Sequence, residues 1–252
     1  MNHYSEKFKI GINYSVQGSG KPVLFLHGWG GNQLNFKGVI DYLLFRGEQH
    51  KCINLDFPPF GHSTKSDNSL TIYDYADMVY DLIKALNIDN LSIVGHSFGG
   101  RVALIIASQY PEILNKLILV NSAGIKPRFN LIKKLKIAVY KTAKFLNLKH
   151  ILKINLTKFG SSNYKDLDNV MKQTFINIIN ADLTDLIPLI KADTLIFWGK
   201  KDRETPIYMA KKLHKLIFGS KLVICNGGHY SYLDCFNIFL NNIIIFLNRG
   251  NS

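Results

Sequence analysis

Cysteine is scarce. The 252 residues hold three, Cys52, Cys225 and Cys235, far apart and without a C-x-x-C pair. An odd, scattered set of this kind argues against a disulfide-stapled scaffold or a cysteine metal centre and suits a reducing compartment. Long apolar runs are missing too: none approaches the ~18 residues that suggest a membrane-spanning helix. The first twenty residues are polar and charged, with no apolar stretch of the secretory-signal type. Together these absences point to a cytoplasmic protein. Internal repeats and low-complexity linkers are also lacking, which leaves one large α/β domain or two small ones at this length. Acidic residues are absent from one long interval. Between Ile113 and Lys165 there are 12 Lys and Arg and no Asp or Glu, although the remainder is nearly balanced at 19 basic against 18 acidic residues. The net charge of +13 is therefore a local patch. It reads either as compositional drift or as a face for an anionic partner, such as lipid head groups or an acidic substrate. No nucleic-acid recognition motif or basic–aromatic platform accompanies it, so nucleic acid is not expected as a partner.

What is present is ample apolar material, 47% hydrophobic and 12% aromatic residues. Short apolar runs at Phe8–Gln17, Pro22–His27, Cys52–Asp56, Leu91–Val94, Leu117–Val120, Asp193–Trp198 and Lys221–Cys225 read as strands. Helical patterns fall at Leu34–Arg46, Thr71–Asn87, Arg101–Tyr110, 207–217 and in a closing segment through about Leu247. Strands alternating with helices predict an α/β fold with a mostly parallel central sheet covered on both faces. The alternation stops after Gly124. From Ile125 to about Leu186 only helical patterns and the basic excess appear. That divides the chain into a first core part (1–124), a helical insertion of roughly 60 residues (125–186) suited to a lid, and a second core part (187–252). Within the insertion, Leu131–Leu146 places Leu131, Leu135, Ala138, Val139, Phe145 and Leu146 on one face and Lys133, Lys136, Lys141 and Lys144 on the other. Such a helix suits covering a pocket; the alternative is weak contact with an anionic membrane surface.

The most informative stretch is Leu91–Gly100, an apolar run followed by Gly95-His-Ser97-Phe-Gly99 and then a helix that stops before Pro111. Strand, sharp turn and helix around G-x-S-x-G form a nucleophile elbow, in which a Cβ two residues before or after the serine clashes. Ser97 then needs a base, and the base an orienting acid. Of eight histidines, His3 sits at the flexible start, His96 should diverge from Ser97, and His27 could simply buttress its loop. His229 directly follows a strand, after two glycines, at the sheet edge where sites collect. Asp202 follows the strand ending at Trp198. Asn121, at the rival position, has no charge, and Asp56 better serves to orient the Pro58–Gly61 loop. The amides of Phe98 and Trp29 are placed to hold an oxyanion. His27, Gly28, Phe60 and Tyr230 are candidate pocket residues.

The segments His27-Gly-Trp-Gly30, Asp56-Phe-Pro-Pro-Phe-Gly-His-Ser63, Gly95-His-Ser-Phe-Gly-Gly100, Trp198-Gly-Lys-Lys-Asp202 and Gly228-His229 resemble the successive signatures of the α/β-hydrolase superfamily. The likeness is to its lidded branch of carboxylesterases, pimeloyl-ester esterase-like enzymes and carbon–carbon bond hydrolases. It implies the α/β-hydrolase fold with a helical lid, Ser97 as nucleophile, His229 as base and Asp202 as acid, in the order Ser…Asp…His. Pro59 stands where that pattern usually has glycine, which stiffens the loop. Epoxide hydrolases and haloalkane dehalogenases use an aspartate at the elbow, so Ser97 argues against both. The expected function is a serine hydrolase of small or medium-sized carboxylic esters, needing no metal or organic cofactor. Two alternatives remain open: a carbon–carbon bond hydrolase or lyase on the same triad, and a binding protein on a hydrolase scaffold.

Overall fold

In the computed structural model, which describes residues 1–126 and 167–250, eight strands form one sheet. They are β1 (Asn2–Ser5), β2 (Ile10–Gln17), β3 (Lys21–Leu26), β4 (His50–Leu55), β5 (Leu91–His96), β6 (Leu114–Val120), β7 (Asp193–Gly199) and β8 (Lys221–Cys225). Their spatial order is β1-β2-β4-β3-β5-β6-β7-β8. The β1–β2 and β2–β4 pairs are antiparallel, and all the others are parallel. Every residue of the central strand β5 is buried, which is why it reads as a continuous apolar run rather than an alternating one.

Helices cover both faces. They are α1 (Leu34–Phe45), α2 (Ile72–Ala85), α3 (Phe98–Gln109), α4 (Asn169–Asn180), α5 (Ile207–Leu216), α6 (Ser231–Asp234) and α7 (Phe236–Asn248). On one side α2, α3 and α5 bury Val79, Leu82, Val102, Ile106 and Leu213 against the sheet. On the other, Phe36, Val39 and Leu43 of α1 share a second buried cluster with Phe239, Leu240 and Ile243 of α7. Helix α2 begins where Thr71 and Asp74 cap each other reciprocally: Thr71 Oγ1 accepts the Asp74 N–H, and the Asp74 carboxylate accepts the Thr71 N–H. Helix α7 ends on a buried lysine. Lys116 Nζ, from β6, donates to the carbonyls of Phe246, Leu247 and Arg249 at 2.6–2.9 Å. A cation on the carbonyls of the last turn complements the negative end of the helix dipole.

Three local features differ from the sequence reading. His3 is not in a flexible start: it lies in β1, opposite Ile12 of β2. The strand is polar and at the sheet edge, so it carries no apolar signature. Helix α3 begins at Phe98 rather than Arg101. Gly99 and Gly100 weaken intrinsic helix propensity, and the elbow's packing overrides them. The closing helix is broken at Cys235 into α6 and α7.

Of residues 125–186, read from the sequence as an insertion, 125–126 and 167–186 are described; the expected amphipathic helix over Leu131–Leu146 lies outside the described residues. Helix α4 is tied to the core. Thr174 Oγ1 accepts the Leu70 N–H at 3.0 Å, Asn177 Nδ2 donates to Leu70 O at 3.2 Å, and Arg101 donates to Ala181 O at 2.8 Å. Among the described residues no helix is long and apolar enough to cross a membrane, and no group of three or more His, Cys, Asp or Glu side chains could hold a metal ion.

Candidate active site

The parallel strands all end on one edge, and the loops that leave β3, β5, β6, β7 and β8 meet there. The β5 loop is a single residue. Ser97 joins β5 to α3 with φ 51° and ψ −108°, a left-handed backbone that costs a side-chain-bearing residue roughly 1–3 kcal/mol. The turn is over-determined by its surroundings. The Ser97 N–H donates to Val120 O at 3.1 Å, and Ser97 O accepts the N–H of Ala123 at 3.0 Å. A Cβ on Gly95 would stand 2.7 Å from Gly99 O, and a Cβ on Gly99 would strike the carbonyl of Leu26. Both glycines are thus required by close approach.

Three of the side chains singled out in the sequence come together at this edge. Ser97 Oγ lies 2.9 Å from His229 Nε2, and His229 Nδ1 lies 2.9 Å from Asp202 Oδ2. An ionised carboxylate only accepts, so Nδ1 carries the proton, and the neutral ring's Nε2 accepts from the Ser97 hydroxyl. Asp202 is buried and collects five donors. Oδ2 receives Asn121 Nδ2 at 2.5 Å, Thr205 Oγ1 at 2.6 Å and the His229 ring; Oδ1 receives the amides of Glu204 and Thr205. Burial pushes its pKa upward, but the bonds from His229 and Thr205 outweigh it and hold the carboxyl at about 2. The acid is therefore a fixed anion behind the imidazole.

The loop after β3 supplies Trp29. Among the described residues neither its backbone N–H nor that of Phe98 has an acceptor within the protein, so both are open to a bound oxygen. Gly28 gives the loop its approach, since a Cβ there would meet His96 Nδ1 at 2.8 Å. His27, expected among the pocket residues, is instead enclosed. Its Nδ1–H donates to Gly28 O at 2.7 Å, and its Nε2 accepts the Phe57 N–H at 2.8 Å. Burial lowers its pKa to about 4, so the ring is a neutral strut between two loops. Asp56 likewise organises its own loop, accepting the amides of Gln33 and His62. Phe60 stands edge-on to Trp29 at 5.0 Å, and Tyr230, 45% exposed, stands edge-on to His229 at 5.7 Å.

Several supporting residues were not singled out in the sequence. Asn121, set aside as the uncharged rival, donates to Asp202 and to Gly228 O and accepts from Ser231 Oγ. His96 is buried and pairs its Nε2 with the carbonyl of His229 at 2.9 Å, fixing the backbone that carries the His229 ring. Burial lowers its pKa to about 3, so it is neutral and donates. Phe175 of α4 closes an aromatic wall, its ring 5.4 Å from Trp29. The signal for Asn121 was its place directly after β6; Thr205, His96 and Phe175 carried none that one sequence exposes.

Residues 21–149, just over half of the chain, match the family described as alpha/beta hydrolase fold. The chain belongs to the α/β-hydrolase family. This hydrolase is 26% identical to the 2-hydroxy-6-oxo-6-(2'-aminophenyl)hexa-2,4-dienoic acid hydrolase of Metapseudomonas resinovorans, over 98% of this chain and 92% of that protein. It is 28% identical to the 2-hydroxy-6-oxononadienedioate/2-hydroxy-6-oxononatrienedioate hydrolase of Escherichia coli, over 94% and 91%. Among solved structures, an esterase from Exiguobacterium antarcticum superposes on this α/β-hydrolase with a TM-score of 0.76 at 26% identity, covering 94% of this chain and 96% of that one.

Proposed function

We propose that this enzyme is a serine hydrolase that cleaves carboxylic esters of small or medium-sized substrates through an acyl-enzyme on Ser97. The observation that carries the reading is the unbroken hydrogen-bond chain from Ser97 through His229 to an ionised Asp202. Ser97 Oγ attacks the acyl carbon as His229 Nε2 takes its proton, and the fixed Asp202 charge stabilises the imidazolium. The amides of Trp29 and Phe98 receive the oxyanion, each such donor being worth roughly 3 kcal/mol in the transition state. His229 then returns the proton to the leaving alcohol, and water, deprotonated by the same ring, releases the acid. The aromatic wall of Trp29, Phe60, Phe98 and Phe175 supports an apolar acyl group, and the seat of Phe175 against Trp29 supports the 125–186 insertion as the lid. A panel of p-nitrophenyl esters of graded acyl length tests this. Turnover that falls by roughly 10⁴-fold or more in Ser97→Ala is expected; full activity in that variant refutes it.

A second reading, hydrolysis of a carbon–carbon bond, is favoured by the names of the two curated relatives. It uses the same triad on a ketone. Efficient cleavage of a 2-hydroxy-6-oxodienoate with poor turnover of every simple ester would replace the first reading with this one.

A further inference from the structure

One charged group at the site has no part in the triad. Glu204 Oε2 lies 3.4 Å from His229 Nε2, the same nitrogen that faces Ser97 Oγ. Its side chain is 72% exposed, yet its root is fixed, because the Glu204 N–H donates to Asp202 Oδ1 at 2.8 Å. Lys200, Lys201 and Arg203 occupy the same turn, but no ion pair joins Glu204 to a lysine or arginine among the described residues. The half-exposed ring of Tyr230 flanks His229 as well, and the Glu204 charge reaches its phenol, helping burial to raise the Tyr230 pKa.

The position decides which part of a substrate meets this carboxylate. The Nε2 proton is delivered to the leaving oxygen, so that oxygen must come within hydrogen-bond reach of Nε2, about 3 Å. A charge carried two or three atoms beyond it lies within a Debye length of Glu204, about 8 Å at physiological ionic strength. A carboxylate near a half-exposed aromatic ring is also the chemistry that receives an ammonium group. We infer that Glu204 and Tyr230 form a leaving-group subsite that selects esters of neutral and cationic alcohols, above all those bearing an ammonium, and rejects anionic ones. The inference rests on the reading of Ser97 and His229 as the acyl-transfer pair. It also sets this chain's expected substrates apart from acids charged near the leaving group.

The test uses acetyl thioesters of three thiols of matched length: thiocholine (cationic), 2-mercaptoethanol (neutral) and 2-mercaptoethanesulfonate (anionic). Intrinsic leaving-group reactivity cancels when wild type and Glu204→Gln are compared on the same series. The ratio of kcat/KM for the cationic over the anionic thioester is expected to drop about tenfold in Glu204→Gln at low salt. The difference shrinks in 0.5 M NaCl, about 0.5 M being enough to shorten the Debye length well below 8 Å. An equal loss on all three thioesters would assign Glu204 to stabilising the imidazolium and overturn the selection. An unchanged ratio overturns it too. If no thioester is turned over, rates of Ser97 modification by organophosphates with a cationic and an anionic leaving group give the corresponding ratio without turnover. Absence of modification by either overturns both this inference and the serine-hydrolase reading, whereas modification at a ratio that Glu204→Gln leaves unaltered overturns the inference alone.

Discussion

Thr205→Val isolates a single proton from the site. Valine keeps the shape of the buried threonine and its backbone N–H, which continues to donate to Asp202 Oδ1. What disappears is the hydroxyl, which donates to Asp202 Oδ2 at 2.6 Å and also lies 3.0 Å from Asn121 O. A hydrogen bond to a charged group contributes roughly 1.5–3 kcal/mol, and the carboxylate keeps four donors, so the net loss is about 2 kcal/mol. In a chain of this size that lowers Tm by about 4–8 °C. The same loss has a pH signature. Asp202 titrates near 2 in the folded protein against 3.8 as a free side chain, so its ionised form stabilises the fold above about pH 4. That contribution, roughly 2 kcal/mol, fades as pH falls through the folded value. Thr205→Val moves the folded pKa back toward 3.8, so the two proteins differ most at neutral pH and converge on acidification. Urea unfolding followed by the fluorescence of the two tryptophans, Trp29 and Trp198, the latter with its Nε1 donating to Thr205 O at 2.8 Å, reads the change. The remaining donors keep the acid oriented, and kcat is expected to fall by about tenfold or less. Equal midpoints for both proteins at pH 7, with parallel acid limbs, would refute the account of how Asp202 holds its charge.

Two further substitutions probe the frame around the site. Gly99→Ala drives a Cβ into the carbonyls of Leu26 and His27 beneath the elbow, so soluble yield collapses or activity is lost with a large drop in Tm; a stable, active variant would contradict the close approach. Lys116→Met leaves the carbonyls of Phe246, Leu247 and Arg249 without their cation and is expected to cost about 2–3 kcal/mol in denaturant unfolding with kcat unchanged.

The elbow around Ser97 was legible in the sequence because its constraints are local. An apolar run, two glycines at fixed offsets and a helix form one short signature, and backbone geometry around Ser97 depends on little else. Asp202 and His229 were legible because each follows a strand, and parallel strands deliver such residues to one edge. The alternation of strands and helices along the chain was legible through periodicity. What failed was decided by pairing between elements. Strand β1 is polar and exists because β2 offers it an edge. Asn121 and Thr205 gain their roles only when the β6 and β7 loops meet, and His27 looked like a pocket residue until Phe57, thirty positions on, took its second nitrogen. Glu204 carries no motif at all; its 3.4 Å approach to His229 is a property of the folded turn.

The central claim is that Ser97 is the nucleophile and that His229 activates it. Treatment with a fluorophosphonate, followed by mass spectrometry of the intact protein and its peptides, tests both halves at once. Wild type is expected to take up one phosphonyl group, on the peptide containing Ser97. Ser97→Ala should take up none, and His229→Ala should react slower by a factor of roughly 10³ or more. Modification at another residue, or equal rates in wild type and His229→Ala, would contradict the claim.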